Sequence, residues 1–91
     1  MNQYRIVNPA EAIEVIRGYA RANRIETLRH ARRRMRERNV SHADLRQALS
    51  LAVGCTPQQG ERWRVSGPDV DGNELVVVVE LDDGDIVVTL F

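Results

Sequence analysis

The stretch ELVVVVELDDGDIVVTLF, residues 74–91, constrains the fold most, because two valine-rich runs flank a DDGD tetrapeptide. β-Branched residues suit strands, and Asp-Gly between two such runs favours a tight hairpin. Side chains alternate across a strand, so Leu75, Val77, Val79 and Leu81 share one face while Val76 and Val78 take the other. Ile86 to Phe91 is likewise apolar on both sides. A sheet built on this hairpin therefore needs cover over both faces. Upstream, ERWRVSG sets Trp63 and Val65 against Arg62, Arg64 and Ser66, which predicts a third, half-buried strand. PDVDGN reads as the turn between them, and CTPQQG as the break before them.

The first half of the chain changes period. Pro9 suits the first turn of a helix, with Asn8 as its cap and Glu11 near its positive end. Ala12, Ile13, Val15, Ile16, Tyr19 and Ala20 give that helix a broad apolar face. Gly18 costs it roughly 1 kcal/mol relative to alanine, so the helix depends on packing. A short extended piece is expected near Arg24 to Thr27. A second, arginine-rich helix follows and ends near Asn39. Ser41 with Asp44 forms a capping pair for a third helix carrying Leu45, Ala48, Leu49 and Ala52 as far as Gly54. The expected fold is α+β: three helices followed by a three-stranded antiparallel sheet. The second and third helices would cover one sheet face. The first helix, a second copy of the chain or another protein would cover the other.

Length and composition fix the class. Ninety-one residues make one domain, with 1–25 as an N-terminal helix and 26–91 as the core. No apolar run approaches the roughly 20 residues that cross a bilayer, and no secretory signal is expected in MNQYRIVNPAEAI. Cys55 is the single cysteine, so no internal disulfide forms and a reducing, cytoplasmic setting is expected. One cysteine and two histidines make no zinc set, and Asp82, Asp83 and Asp85 lack the remaining ligands of a calcium loop. Neither a metal nor any other cofactor is expected. The formal net charge of zero hides a separation. Residues 1–50 hold eleven arginines against five acids, and residues 51–91 hold two against eight. Either the first half meets a polyanion, or the two halves neutralise each other on folding.

The basic half concentrates in LRHARRRMRERNVS, residues 28–41. At 100° per residue, Leu28, Ala31 and Met35 form the core-facing stripe. His30, Arg34 and Arg38 make a second stripe beside it, and Arg29, Arg32 and Arg36 fall on the opposite, solvated flank. An imidazole can take the proton of an attacking hydroxyl while guanidinium groups stabilise charge at a phosphoryl centre. These are the parts required to cleave RNA through its own 2′-hydroxyl. A hydrogen-bonded structural histidine is the competing reading.

The motif His30-Ala31-x-x-Arg34-Met35-x-x-Arg38-x-Val40-Ser41 resembles that of a family of small bacterial domains similar to the BrnT and RelE-type toxins. Leu45 and Leu49, then Arg64-Val65-x-Gly67, VVVVEL and VVTLF follow in order, so the resemblance covers roughly residues 26–91. It implies a RelE/BrnT-like fold and a messenger-RNA endonuclease neutralised by an antitoxin. Carried over position by position, it marks His30, Arg34 and Arg38 as catalytic, with Arg64 and Thr89 as RNA contacts; Arg33, at an open position of the motif, is a further candidate RNA contact. Candidate partners are RNA, an antitoxin or other protein on the apolar sheet, and a second copy of the chain; no membrane or small-molecule cofactor is expected. The alternative is a non-catalytic interaction module that uses the arginine helix and the apolar sheet. Trp63 as a base-stacking platform competes with Trp63 as core.

Overall fold

The computed structural model describes residues 8–91; the stretch MNQYRIV, on which the reading of no secretory signal partly rests, lies outside them. Along the chain run α1 (Pro9–Arg21), β1 (Ile25–Thr27), α2 (Arg29–Glu37), α3 (His42–Ser50), β2 (Gly54–Gln58), β3 (Arg62–Pro68), β4 (Glu74–Asp82) and β5 (Asp85–Leu90). The helix starts follow their caps. Asn8 Oδ1 accepts from the Ala10 N–H at 2.8 Å, and Ser41 and Asp44 form a reciprocal capping box. α1 stops where Asn23 turns left-handed, with φ of 59°, and lets Arg24 N–H reach back to the Tyr19 carbonyl.

The fold is α+β, but the sheet corrects the expectation of three antiparallel strands. It has five strands in the order β1-β5-β4-β3-β2, and β1 runs parallel to β5 while the other pairs are antiparallel. β2 falls within the stretch read as a break. It is an edge strand with Gly54 and Pro57, and an edge tolerates proline because one side of the strand donates to no neighbour. Its stability comes from partners: Cys55 lies opposite Val65, and Pro57 opposite Trp63. β1 has only three residues and pairs with a strand some sixty positions away, Ile25 with Ile86, so local pattern carries little of its signal. The β4–β5 hairpin turns through Asp83 and Gly84, both left-handed at φ of 51° and 89°, as a two-residue turn requires.

All three helices lie on one face. Ala12 and Ile16 of α1, Ala31 and Met35 of α2, and Leu45 and Leu49 of α3 join a single buried cluster with Trp63, Val65, Val77, Val79, Ile86 and Val88. α1 therefore does not cover the second face, and it is integral to the same core as the rest. Leu28 marks a smaller correction: it caps α2 instead of packing in its stripe and stays 36% exposed. α3 approaches the sheet closely enough that a β-carbon on Gly67 would run into the Ala48 carbonyl. On the outer face, Val76, Val78 and Val87 are half-buried and Leu90 is exposed. Among the described residues no helix crosses them.

Candidate functional site

α2 carries the site because its two ends are fixed. At its start the Leu28 N–H donates to the Val88 carbonyl of β5, and Arg32 Nη1 donates to the Thr27 carbonyl at 2.6 Å. At its end Asn39, left-handed with φ of 57°, lets the Val40 N–H return to the Met35 carbonyl at 2.8 Å. Ala31 and Met35 face the core, which leaves the remaining positions of this nine-residue helix to water.

His30 is oriented by β5. Its Nε2 donates to the Thr89 carbonyl. A carbonyl oxygen brings no proton, so Nε2 must carry the hydrogen, and in the neutral ring Nδ1 is then the basic nitrogen. That nitrogen is free to accept a proton. His30 shares a cleft of about 420 Å³ with Arg29, Arg33 and Arg36. Among the described residues, Arg29, Arg33, Arg36 and Arg38 make neither a side-chain hydrogen bond nor an ion pair. Their guanidinium groups keep all donors for a ligand.

The expected site residues divide. His30 and Arg33 come together. Arg34 and Arg38 do not line the cleft: Arg34 leans on Glu37 with Nε to Oε1 at 3.8 Å, and Arg38 sits at the helix end. Arg64 is exposed on the sheet face opposite the helices, between the inward Trp63 and Val65, so it shares no site with α2. Thr89 is buried, and its hydroxyl donates to the Val78 carbonyl at 3.0 Å; it presents nothing to RNA. The cause is a register shift at Val78 and Val79, which breaks the alternation that would have turned Thr89 outward. Trp63 is core, 5% exposed, and offers no stacking platform. Arg29 and Arg36 are the residues that sequence reading left on the solvated flank. Their offsets of −4 and +3 from Arg33 already placed all three on neighbouring turns.

Away from α2, the described cations other than Arg64 are engaged. Arg17 Nε and Nη2 both donate to the Ala52 carbonyl, at 3.1 and 2.6 Å, and Arg17 also pairs with Glu14. Arg46 Nε and Nη2 donate to the Ala20 and Arg21 carbonyls, and Arg21 donates to the Ser50 carbonyl. Arg24 pairs with Asp85 and Arg62 with Glu80, both at 3.0 Å. His42 bonds Asn23 Oδ1 through Nε2. The Ser41 and Val70 N–H groups and the Ser41 hydroxyl hold the Asp44 carboxyl below its ordinary range. Burial pushes the Cys55 thiol up to about 11, opposite to what a reactive thiol needs. Among the described residues no three His, Cys, Asp or Glu side chains gather as a metal site, and no helix is long and apolar enough to cross a membrane.

No curated protein and no solved structure matches the chain. Residues 27–91 match a family described as a domain of unknown function, DUF4258, from the last residue of β1 through β5 and without α1. That match takes in α2 and the entire His30 cleft, and the chain belongs to the DUF4258 family.

Proposed function

We propose that this domain is a toxin-like endoribonuclease that cleaves RNA without a metal, in the manner of the RelE-type toxins that its α2 motif resembles. The observation that carries the reading is the oriented imidazole of His30 in a cleft whose arginines have no partner among the described residues. Single-stranded RNA supplies both a backbone phosphate and a neighbouring 2′-hydroxyl. Arg33, with Arg29 and Arg36, holds the phosphate by charge-assisted hydrogen bonds. His30 Nδ1 takes the 2′-hydroxyl proton as that oxygen attacks the adjacent phosphorus. The bond to the 5′-oxygen breaks, and the imidazolium returns the proton to it, leaving a 2′,3′-cyclic phosphate and a 5′-hydroxyl. The arginines stabilise the extra negative charge on the phosphoryl oxygens in between.

The test is incubation of the purified protein with labelled single-stranded RNA in a chelator, for wild type, His30→Ala and the Arg29/Arg33/Arg36→Ala triple variant. Cyclic-phosphate ends from wild type alone support the reading. Binding without cleavage by any of them reduces it to an RNA-binding module. Bacterial growth after induction of wild type and His30→Ala at matched levels extends the test to conditions where a ribosome is present. A second reading, a non-catalytic interaction module, is favoured by the outer face of the sheet, which no described helix covers; under it His30→Ala changes nothing.

A further inference from the structure

We infer that the outer face of the sheet is the interface of a symmetric homodimer, with the twofold axis lying between β4 and β5 and running along the strands. The argument starts from what the face presents. An aliphatic stripe of Val76, Val78, Val87 and Leu90 runs down β4 and β5. Register places Arg62, Glu80, Val87 and Glu26 in one row across β3, β4, β5 and β1. The row therefore begins with a cation and ends with an anion. Arg62 already holds Glu80 at 3.0 Å, whereas Glu26 is exposed and has no ion pair among the described residues.

A twofold axis along the strands between β4 and β5 superposes β4 on β5 and β3 on β1 of the other copy. Arg62 of one copy then faces Glu26 of the second, twice over, and Val78 of one faces Leu90 of the second. An axis across the strands through this row would instead lay β3 over β3, bringing Arg62 against Arg62. Charge thus selects the first arrangement, and the same row supplies both halves of the match, as an isologous contact requires. RNA is the poorer occupant, since Glu26 and Glu80 offset the charges of Arg62 and Arg64 on this face and the stripe offers no aromatic surface. The four strands that overlap in this arrangement, about 4.8 Å apart with about 3.3 Å rise per residue, make a face roughly 15 by 20 Å. That lies below the standard size of specific interfaces, so association is expected to be weak, in the micromolar range or above. The inference is independent of RNA cleavage, because α2 lies over the other face.

Sedimentation equilibrium of the full chain from about 1 to about 500 µM tests it. A reversible dimer is expected for wild type. Val78→Glu should weaken association at least tenfold while its far-ultraviolet circular dichroism and melting stay native-like. Glu26→Arg, on the exposed end of the row, should weaken it a fewfold at low salt and less at high salt. Wild type monomeric throughout overturns the inference, as does a folded Val78→Glu variant that dimerises like wild type. Hydrogen-exchange protection of β4 that disappears on deleting residues 1–7, in a monomer, would assign the face to that segment and overturn it too.

Discussion

Arginines at the α1–α3 junction and arginines on α2 have the same side chain and opposite uses. At the junction, Arg17, Arg21 and Arg46 donate to the carbonyls at the ends of the neighbouring helix, where the last turn leaves acceptors without intrahelical partners. On α2, Arg29, Arg33 and Arg36 are exposed around one cleft and have no partner among the described residues. The first set stabilises the fold. The second costs it some like-charge repulsion, which is what a surface awaiting an anion looks like. Composition alone cannot separate the two sets; what separates them is whether a helix terminus lies within reach.

Perturbations should affect the two regions oppositely. The largest effect is expected from Gly67→Ala, which forces α3 off β3 against a backbone carbonyl that cannot yield; about 3 kcal/mol of stability should be lost in urea unfolding. Unchanged stability would mean that the close approach of α3 to the sheet is not maintained in solution. Next, Arg46→Ala removes charge-assisted bonds to two carbonyls and should cost about 1–2 kcal/mol. The Arg29/Arg33/Arg36→Ala triple should stay within about 0.5 kcal/mol of wild type. For RNA affinity the order reverses: the triple variant should lower the salt slope of single-strand binding by about 2, and Arg46→Ala should leave it alone. Equal salt slopes would erase the distinction.

Two smaller effects sharpen the comparison near α3. Asp44 has its folded-state affinity for a proton lowered by the Ser41 and Val70 donors, so its contribution is complete above the ordinary aspartate range. It is lost as pH falls through the lowered folded value. Denaturation midpoints followed from about pH 5 to about pH 2 should therefore drop less steeply for Asp44→Asn than for wild type. Smallest is the thiol: at neutral pH, alkylation of Cys55 by iodoacetamide should be much slower than that of a cysteine in a short peptide, and should accelerate in denaturant.

Much of the helical layer was legible in sequence, for local reasons. Asn8, Pro9, Ser41 and Asp44 act within a few residues of themselves, so their caps follow from spacing alone. Strand β3 carried its own alternation, and the valine-rich runs marked β4 and β5. β1 was legible only as a short extended piece near Arg24 to Thr27 and β2 only as a break, because a three-residue strand and a proline-bearing edge strand take their pairing from distant partners. The covering of the sheet stayed open for a related reason: the apolar stripe of α1 says that it is buried, but not on which side. At the site, helical spacing grouped His30 with Arg34 and Arg38 instead of with the Arg29, Arg33 and Arg36 that share its cleft. It could not say that Thr89 would orient His30 through its carbonyl while burying its hydroxyl, since the irregularity at Val78 and Val79 decides both.

The parallel pairing of β1 with β5 also sets a timetable. β5 sits between β1 and β4, yet it is the last of the five strands to be synthesised. While β5 is still inside the ribosome, β1 has no neighbour, the first turn of α2 lacks its bond to Val88, and His30 has no carbonyl to hold it. The arginine helix can form early, but the arrangement around His30 arises only after the last strand has emerged. A nascent or prematurely ended chain would therefore carry the basic helix without the oriented imidazole, so any activity dependent on His30 is withheld until translation of the domain is complete.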